Sequence, residues 1–150
     1  MRCLYRRVPA RRNIDSKVES KRIMEKLVSD FLAQKKFVVA GSFKNESKYA
    51  YRIFKILKRK GYEVYLLNPN IKEVEGHPCY PSIKDIPCVI DVVNLVTPPS
   101  VTEKILIDCK EKGIRKIWLQ PGAESENAIR FCKENNMNVI YKTCVMMKAV

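Results

Sequence analysis

Strand-like and helix-like segments alternate five times along this chain, and no two strand-like segments are joined by a hairpin signal. Antiparallel strands can be joined by a two-residue turn, whereas parallel strands need a crossover, so the alternation predicts a parallel sheet covered by helices on both faces. The strand-like segments are Phe37 to Ala40, Glu63 to Leu67, the run VIDVVNLV, the run KIWL and the closing NVIY. The first is apolar at successive positions, as suits a strand buried on both sides. Ala50, Ile53, Phe54 and Leu57 recur at helical spacing, SVTEKILIDCKEKG opens on a serine cap and stops at Gly113, and residues 124–135 turn Ala128, Phe131 and Cys132 inward. The expected fold is α/β, a doubly wound parallel five-stranded sheet of order 3-2-1-4-5 with an N-terminal helical extension. Its ligand crevice is expected at the carboxyl ends of strands one and four, where the winding reverses.

The 150 residues suit one domain able to bury roughly two thirds of its unfolded surface. Residues 1–33 read as a basic tail and helix, residues 34–150 as the folded domain. Met24, Leu27, Val28 and Phe31 mark the apolar face of that helix, and Met24 is an alternative to Met1 as the translation start. No apolar run approaches the length of a membrane span and no signal-peptide core is present, so a cytoplasmic protein is expected. Six cysteines without a CxxC pair point to reduced thiols rather than a zinc site. The net charge of +13, with eleven basic against four acidic residues in the first 36, favours anionic partners.

In FVVAGSFKNESKYAYRIF a strand breaks at Gly41 and resumes as a basic helix. Gly41 lets a ligand approach the backbone, Ser42 and Ser47 bring hydroxyls, and the free N–H groups of a helix start favour an anion. A glycine and a serine are also ordinary furniture of a strand-to-helix connection. GSFKNES, NPNIK, VTPPS, QPGAE and KTC all fall at the same edge of the expected sheet, which favours a ligand site there. A dinucleotide fingerprint is missing, since the next glycine after Gly41 is Gly61, and Asn68 stands where an acidic residue would take the ribose diol. The phosphate loop of nucleoside triphosphatases is absent as well. His77 lies in a turn, and Asp85, Asp91 and Asp108 form no paired-carboxylate arrangement. With no poised acid, base or nucleophile, the chain reads as a binding module and not an enzyme.

VVAGSFKNESKYAYRIFKILKRKGYEVYLLNPN, CYPSIKDIP, IDVVNLVTPP, IWLQPGAESENA and YKTCVMMK, taken in order, resemble the CoA-binding protein family over residues 34–148. That family is similar to the N-terminal domain of the succinyl-CoA synthetase α-subunit. The resemblance implies a Rossmann-like domain holding coenzyme A, or an acyl-CoA, across the crevice. By position, Gly41, Ser42, Phe43 and Lys44 would line the phosphate loop, with Lys48 and Tyr49 at the helix start. Asn68, Pro69 and Lys72 would meet the nucleotide end, Val96, Thr97 and Pro98 the adenine and ribose side, and Gln120, Pro121 and Gly122 the pantetheine arm. Lys44, Lys48 and Lys72 are then suited to neutralising phosphates. Cys144 follows strand five near the crevice and reads either as a thiol partner of bound coenzyme A or as a buried structural cysteine. A homodimer or a partner catalytic subunit fits this reading. The rival readings are an NAD(P)-binding or other nucleotide-binding oxidoreductase-like or redox-sensing domain, and nucleic-acid binding through the basic tail. The latter is disfavoured because no RNA-recognition signature is present.

Overall fold

The computed structural model describes residues 12–43 and 48–145, with side chains from residue 18 onward. The N-terminal extension is helix α1, Arg12–Leu32. The sheet follows as β1 (Lys36–Gly41), β2 (Glu63–Leu67), β3 (Glu73–Val74), β4 (His77–Tyr80), β5 (Val92–Val96), β6 (Lys116–Leu119) and β7 (Asn138–Ile140). Helices α2 (Tyr49–Arg59), α3 (Pro99–Lys112) and α4 (Glu126–Glu134) cross between strands, and a 3₁₀ turn covers Ile83–Asp85. Among the described residues no helix is long and apolar enough to cross a membrane.

The doubly wound parallel sheet is present with seven strands rather than five, in the order β3-β4-β2-β1-β5-β6-β7. All pairings are parallel except β3 with β4. The added strands lie in the proline-containing segment after β2, which sequence reading treats as a loop. Pro78 is tolerated there because β4 has only the two-residue β3 on its outer side, close to the sheet edge. The insertion corrects the expected neighbours. Val92–Val96 lies beside β1, with Phe37 opposite Val92 and Gly41 opposite Val96. Counting β4 as the third parallel strand restores the doubly wound order with one strand more, and the winding reverses between β1 and β5.

Each face of the sheet carries its own apolar layer. Val38, Ala40, Val93, Leu95, Ile117 and Leu119 pack with Leu106 and Cys109 of α3 and Ala128 and Cys132 of α4. Phe37, Val39, Val92 and Trp118 pack with α2 through Ala50, Ile53, Phe54 and Leu57, all four buried as their spacing implies. The extension joins this second layer: Phe31 of α1 meets Trp118 edge to face, with ring centroids 6.1 Å apart. Helix α3 begins one residue ahead of the expected serine cap, with Pro98 at the N-cap and Pro99 following. Proline suits that position because its φ is already helical and its missing N–H would have had no helical acceptor. The helix closes at Gly113, whose φ of 82° is the left-handed conformation that glycine adopts without strain.

Candidate functional site

The carboxyl ends of β1, β2 and β5 open into a cavity of about 490 Å³. At the end of β1, backbone and helix approach closely. A Cβ added to Gly41 would lie 2.8 Å from Ala50 Cβ and 2.9 Å from the Val96 carbonyl oxygen, so only glycine lets α2 and β5 close on the end of β1. Asn68 ties the neighbouring turn to the same point. Its Nδ2 donates to the Gly41 carbonyl at 2.7 Å, and its Oδ1 accepts from the Asn70 N–H at 2.7 Å, so the turn after β2 is hung from the end of β1. On the other flank the Thr97 and Thr102 hydroxyls lie 2.7 Å apart, joining the end of β5 to the first turn of α3.

The structure brings Gly41, Ser42, Asn68, Pro69, Val96, Thr97 and Pro98 to this one cavity. Sequence reasoning missed the opposite wall, made by Ile83 of the 3₁₀ turn and by Val101, Ile105 and Asp108 of α3. The last three stand at i, i+4 and i+7, so they form a stripe along one helix face. That spacing was available in the sequence, but it points to a cavity only once the winding places α3 beside the end of β1.

The other expected residues lie elsewhere. Phe43 is 5% exposed and belongs to the apolar layer beneath α2. Lys48 is the N-cap of α2 and makes no side-chain capping bond; it, Tyr49 and Lys72 are exposed and outside the cavity lining. Lys44 and Ser47 fall outside the described residues. Gln120 is buried, its Nε2 donating to Asn94 Oδ1 at 3.1 Å and its Oε1 accepting from the Val145 N–H at 3.0 Å. With Trp118 Nε1 donating to the Thr143 carbonyl at 2.7 Å, it fastens the segment after β7 to the sheet. Pro121 and Gly122 are exposed beyond it, the Gly122 N–H donating to Glu124 Oε1 at 2.7 Å. Cys144 is half-buried between the two fastened residues and is not part of the cavity wall.

The charged side chain that lines the cavity among the described residues is Asp108, so cations that meet an anionic ligand must reach it from the rim. His77 stands at the start of β4, edge-on to Phe54 at 5.3 Å, away from the cavity. Burial pushes the Cys132 thiol up to about 12 and raises Cys109 and Cys79 as well, which keeps these core thiols protonated and unreactive.

Comparison with known proteins identifies relatives of this fold. The model of the CoA binding domain matches residues 35–149. An ADP-forming acetate–CoA ligase of Methanocaldococcus jannaschii is 32% identical over 119 residues, covering 74% of this chain but only 17% of the ligase. The chain thus spans a minor part of that relative's length. The uncharacterized protein YneT of Bacillus subtilis is 29% identical over 134 residues, covering 87% of this chain and 91% of YneT. Among solved structures, a hypothetical protein from Pyrococcus horikoshii superposes with a TM-score of 0.79 at 30% identity, covering 83% of this chain and 88% of that one. With the family model matched over nearly the whole described domain, the chain belongs to the CoA-binding domain family.

Proposed function

We propose that this chain binds coenzyme A, free or acylated, in the crevice between β1, β2 and β5, and acts as a carrier, sensor or sequestering module without catalysing a reaction itself. The observation that carries this reading is the convergence of Gly41, Ser42, Asn68 and Thr97 on one cavity at the winding reversal. The residues fit the group. The volume lies within the range of small-molecule sites, and Leu67, Ile83, Val101 and Ile105 give apolar walls to a rim of backbone and hydroxyl groups. Gly41 brings main chain to the rim without a side chain in the way, and α2 begins at Tyr49, seven residues after Ser42. The positive end of its helix dipole favours a phosphate at that end of the sheet. When bound, coenzyme A supplies a thiol that can carry an acyl group. The ligase relatives, of which this chain matches a fraction, support a partner that supplies catalysis.

The test is titration calorimetry of the full chain with coenzyme A, 3′-dephospho-coenzyme A and NADP. Coenzyme A binding that weakens without the 3′-phosphate supports the reading. Binding of NADP in preference to coenzyme A overturns it in favour of a dinucleotide site.

A further inference from the structure

The cavity does not end at the strand tips. Its wall follows α3, and the helical rise puts Asp108 about 15 Å along the helix axis from Pro98, a span long enough for a nucleoside. Along the way the walls are apolar, from Ile71 and Ile83 on one side to Val101 and Ile105 on the other, as suits a flat aromatic ring. At the far end of that helix wall stands the partly exposed carboxylate of Asp108. Its neighbour Lys84 is 3.7 Å from Oδ1 but is held at 2.7 Å by Glu111, and no described residue donates a hydrogen bond to Asp108 Oδ2. A carboxylate accepts hydrogen bonds and cannot donate them, so a base that reaches this end is selected by an N–H on its far edge.

We propose that Asp108 is a specificity-determining residue that accepts a hydrogen bond from the exocyclic amine of the bound nucleotide's base. The cavity then prefers an amino-bearing purine such as adenine over the same ligand without the amine. The inference rests on a nucleotide-containing ligand entering base first, and so on the coenzyme A reading, but it is separable by experiment. Calorimetry compares ADP with the diphosphate of unsubstituted purine riboside, and coenzyme A with its purine analogue, in the parent and in Asp108→Ala and Asp108→Asn. In the parent, the amino-bearing member of each pair binds roughly tenfold tighter or more, the scale of a hydrogen bond to a charged group. Asp108→Ala binds both members at the parent's weaker level, and Asp108→Asn, which keeps an acceptor oxygen, retains part of the preference. Asp108 is partly exposed on a surface helix, so both variants fold, which melting curves check. Equal binding of the two members by the parent, or undiminished preference in Asp108→Ala, overturns the assignment. If coenzyme A binds without discrimination, only the base assignment fails. If ADP is discriminated while coenzyme A does not bind, the coenzyme A reading fails and Asp108 keeps its role; binding of neither removes both.

Discussion

Replacing Gly41 with alanine tests whether this glycine is demanded by packing. Two carbon atoms are comfortable at about 3.5–4.0 Å. The new Cβ would sit 2.8 Å from Ala50 Cβ and 2.9 Å from the Val96 carbonyl oxygen, with Val96 Cβ at 3.2 Å. None of these atoms is the flexible end of a long side chain, so α2 or β5 must shift. Overpacking of this kind costs about 1–3 kcal/mol, and the stiffer unfolded chain of an alanine variant returns about 0.4–1 kcal/mol. At the middle of both ranges the net destabilisation is about 1.3 kcal/mol, which lowers Tm by roughly 3–5 °C in a domain of this size. Thermal unfolding followed by circular dichroism reads this directly. Repeating the measurement in an Ala50→Gly background removes one of the close contacts, so there the same change costs less. A Gly41→Ala protein that melts within about 1 °C of the parent refutes the packing account.

Four further outcomes follow from particular contacts. Gln120→Leu leaves the Val145 N–H and Asn94 Oδ1 without their partner in a buried setting and destabilises by about 2–4 kcal/mol in urea unfolding; an unchanged midpoint would show the segment after β7 is held otherwise. Asn68→Asp keeps an acceptor for Asn70 but sets a carboxylate against the Gly41 carbonyl, so it lowers Tm and coenzyme A affinity more than Asn68→Ala, and the reverse order contradicts the bracket. Glu75 is held below the ordinary carboxylate range by hydrogen bonds from Lys55 and then Tyr51, so its clamp on α2 is present at neutral pH and is lost as pH falls through that lowered value. The Tm difference between parent and Glu75→Gln therefore narrows below pH 4.5, the group's ordinary value, and a constant difference argues against the clamp. In native alkylation mapped by mass spectrometry, the buried Cys109 and Cys132 stay unmodified until the protein unfolds, whereas half-buried Cys88 and Cys144 react; early labelling of Cys109 contradicts the packing of α3 on α4.

The layers were legible because both periodicities are strong where burial is complete. Ala50, Ile53, Phe54 and Leu57 announce the inner face of α2, and the apolar run through Val38 and Val39 announces a strand covered on both sides. Strands β3 and β4 were not legible. Two and four residues long, they carry Pro78 and a turn at Glu75 and Gly76, and they exist because β2 offers an open edge, not because their own residues favour extended pairing. The missed β4 also displaced the expected neighbour of β1, and with it the predicted position of the crevice. The start of α3 was misplaced by two residues, its cap at Pro98 and not Ser100, because two adjacent prolines compete with a serine for the same boundary.

At the site itself, residue type carried over better than residue role. Gly41 and Asn68 were singled out as groups for a ligand, and both reach the cavity, yet each answers first to the fold: one admits α2, the other suspends the turn after β2. Gln120 shows the same conflict resolved fully toward structure, since both ends of its amide are bonded within the core. A sequence motif at a strand end cannot separate these demands, because a glycine that admits a helix and one that admits a phosphate are the same residue. The wall of α3 can separate them. Asp108 completes no apolar layer and caps no backbone, and its Lys84 neighbour at 3.7 Å is held more closely by Glu111, so on the proposed reading its carboxylate answers to what fills the cavity, which the Asp108 variants test.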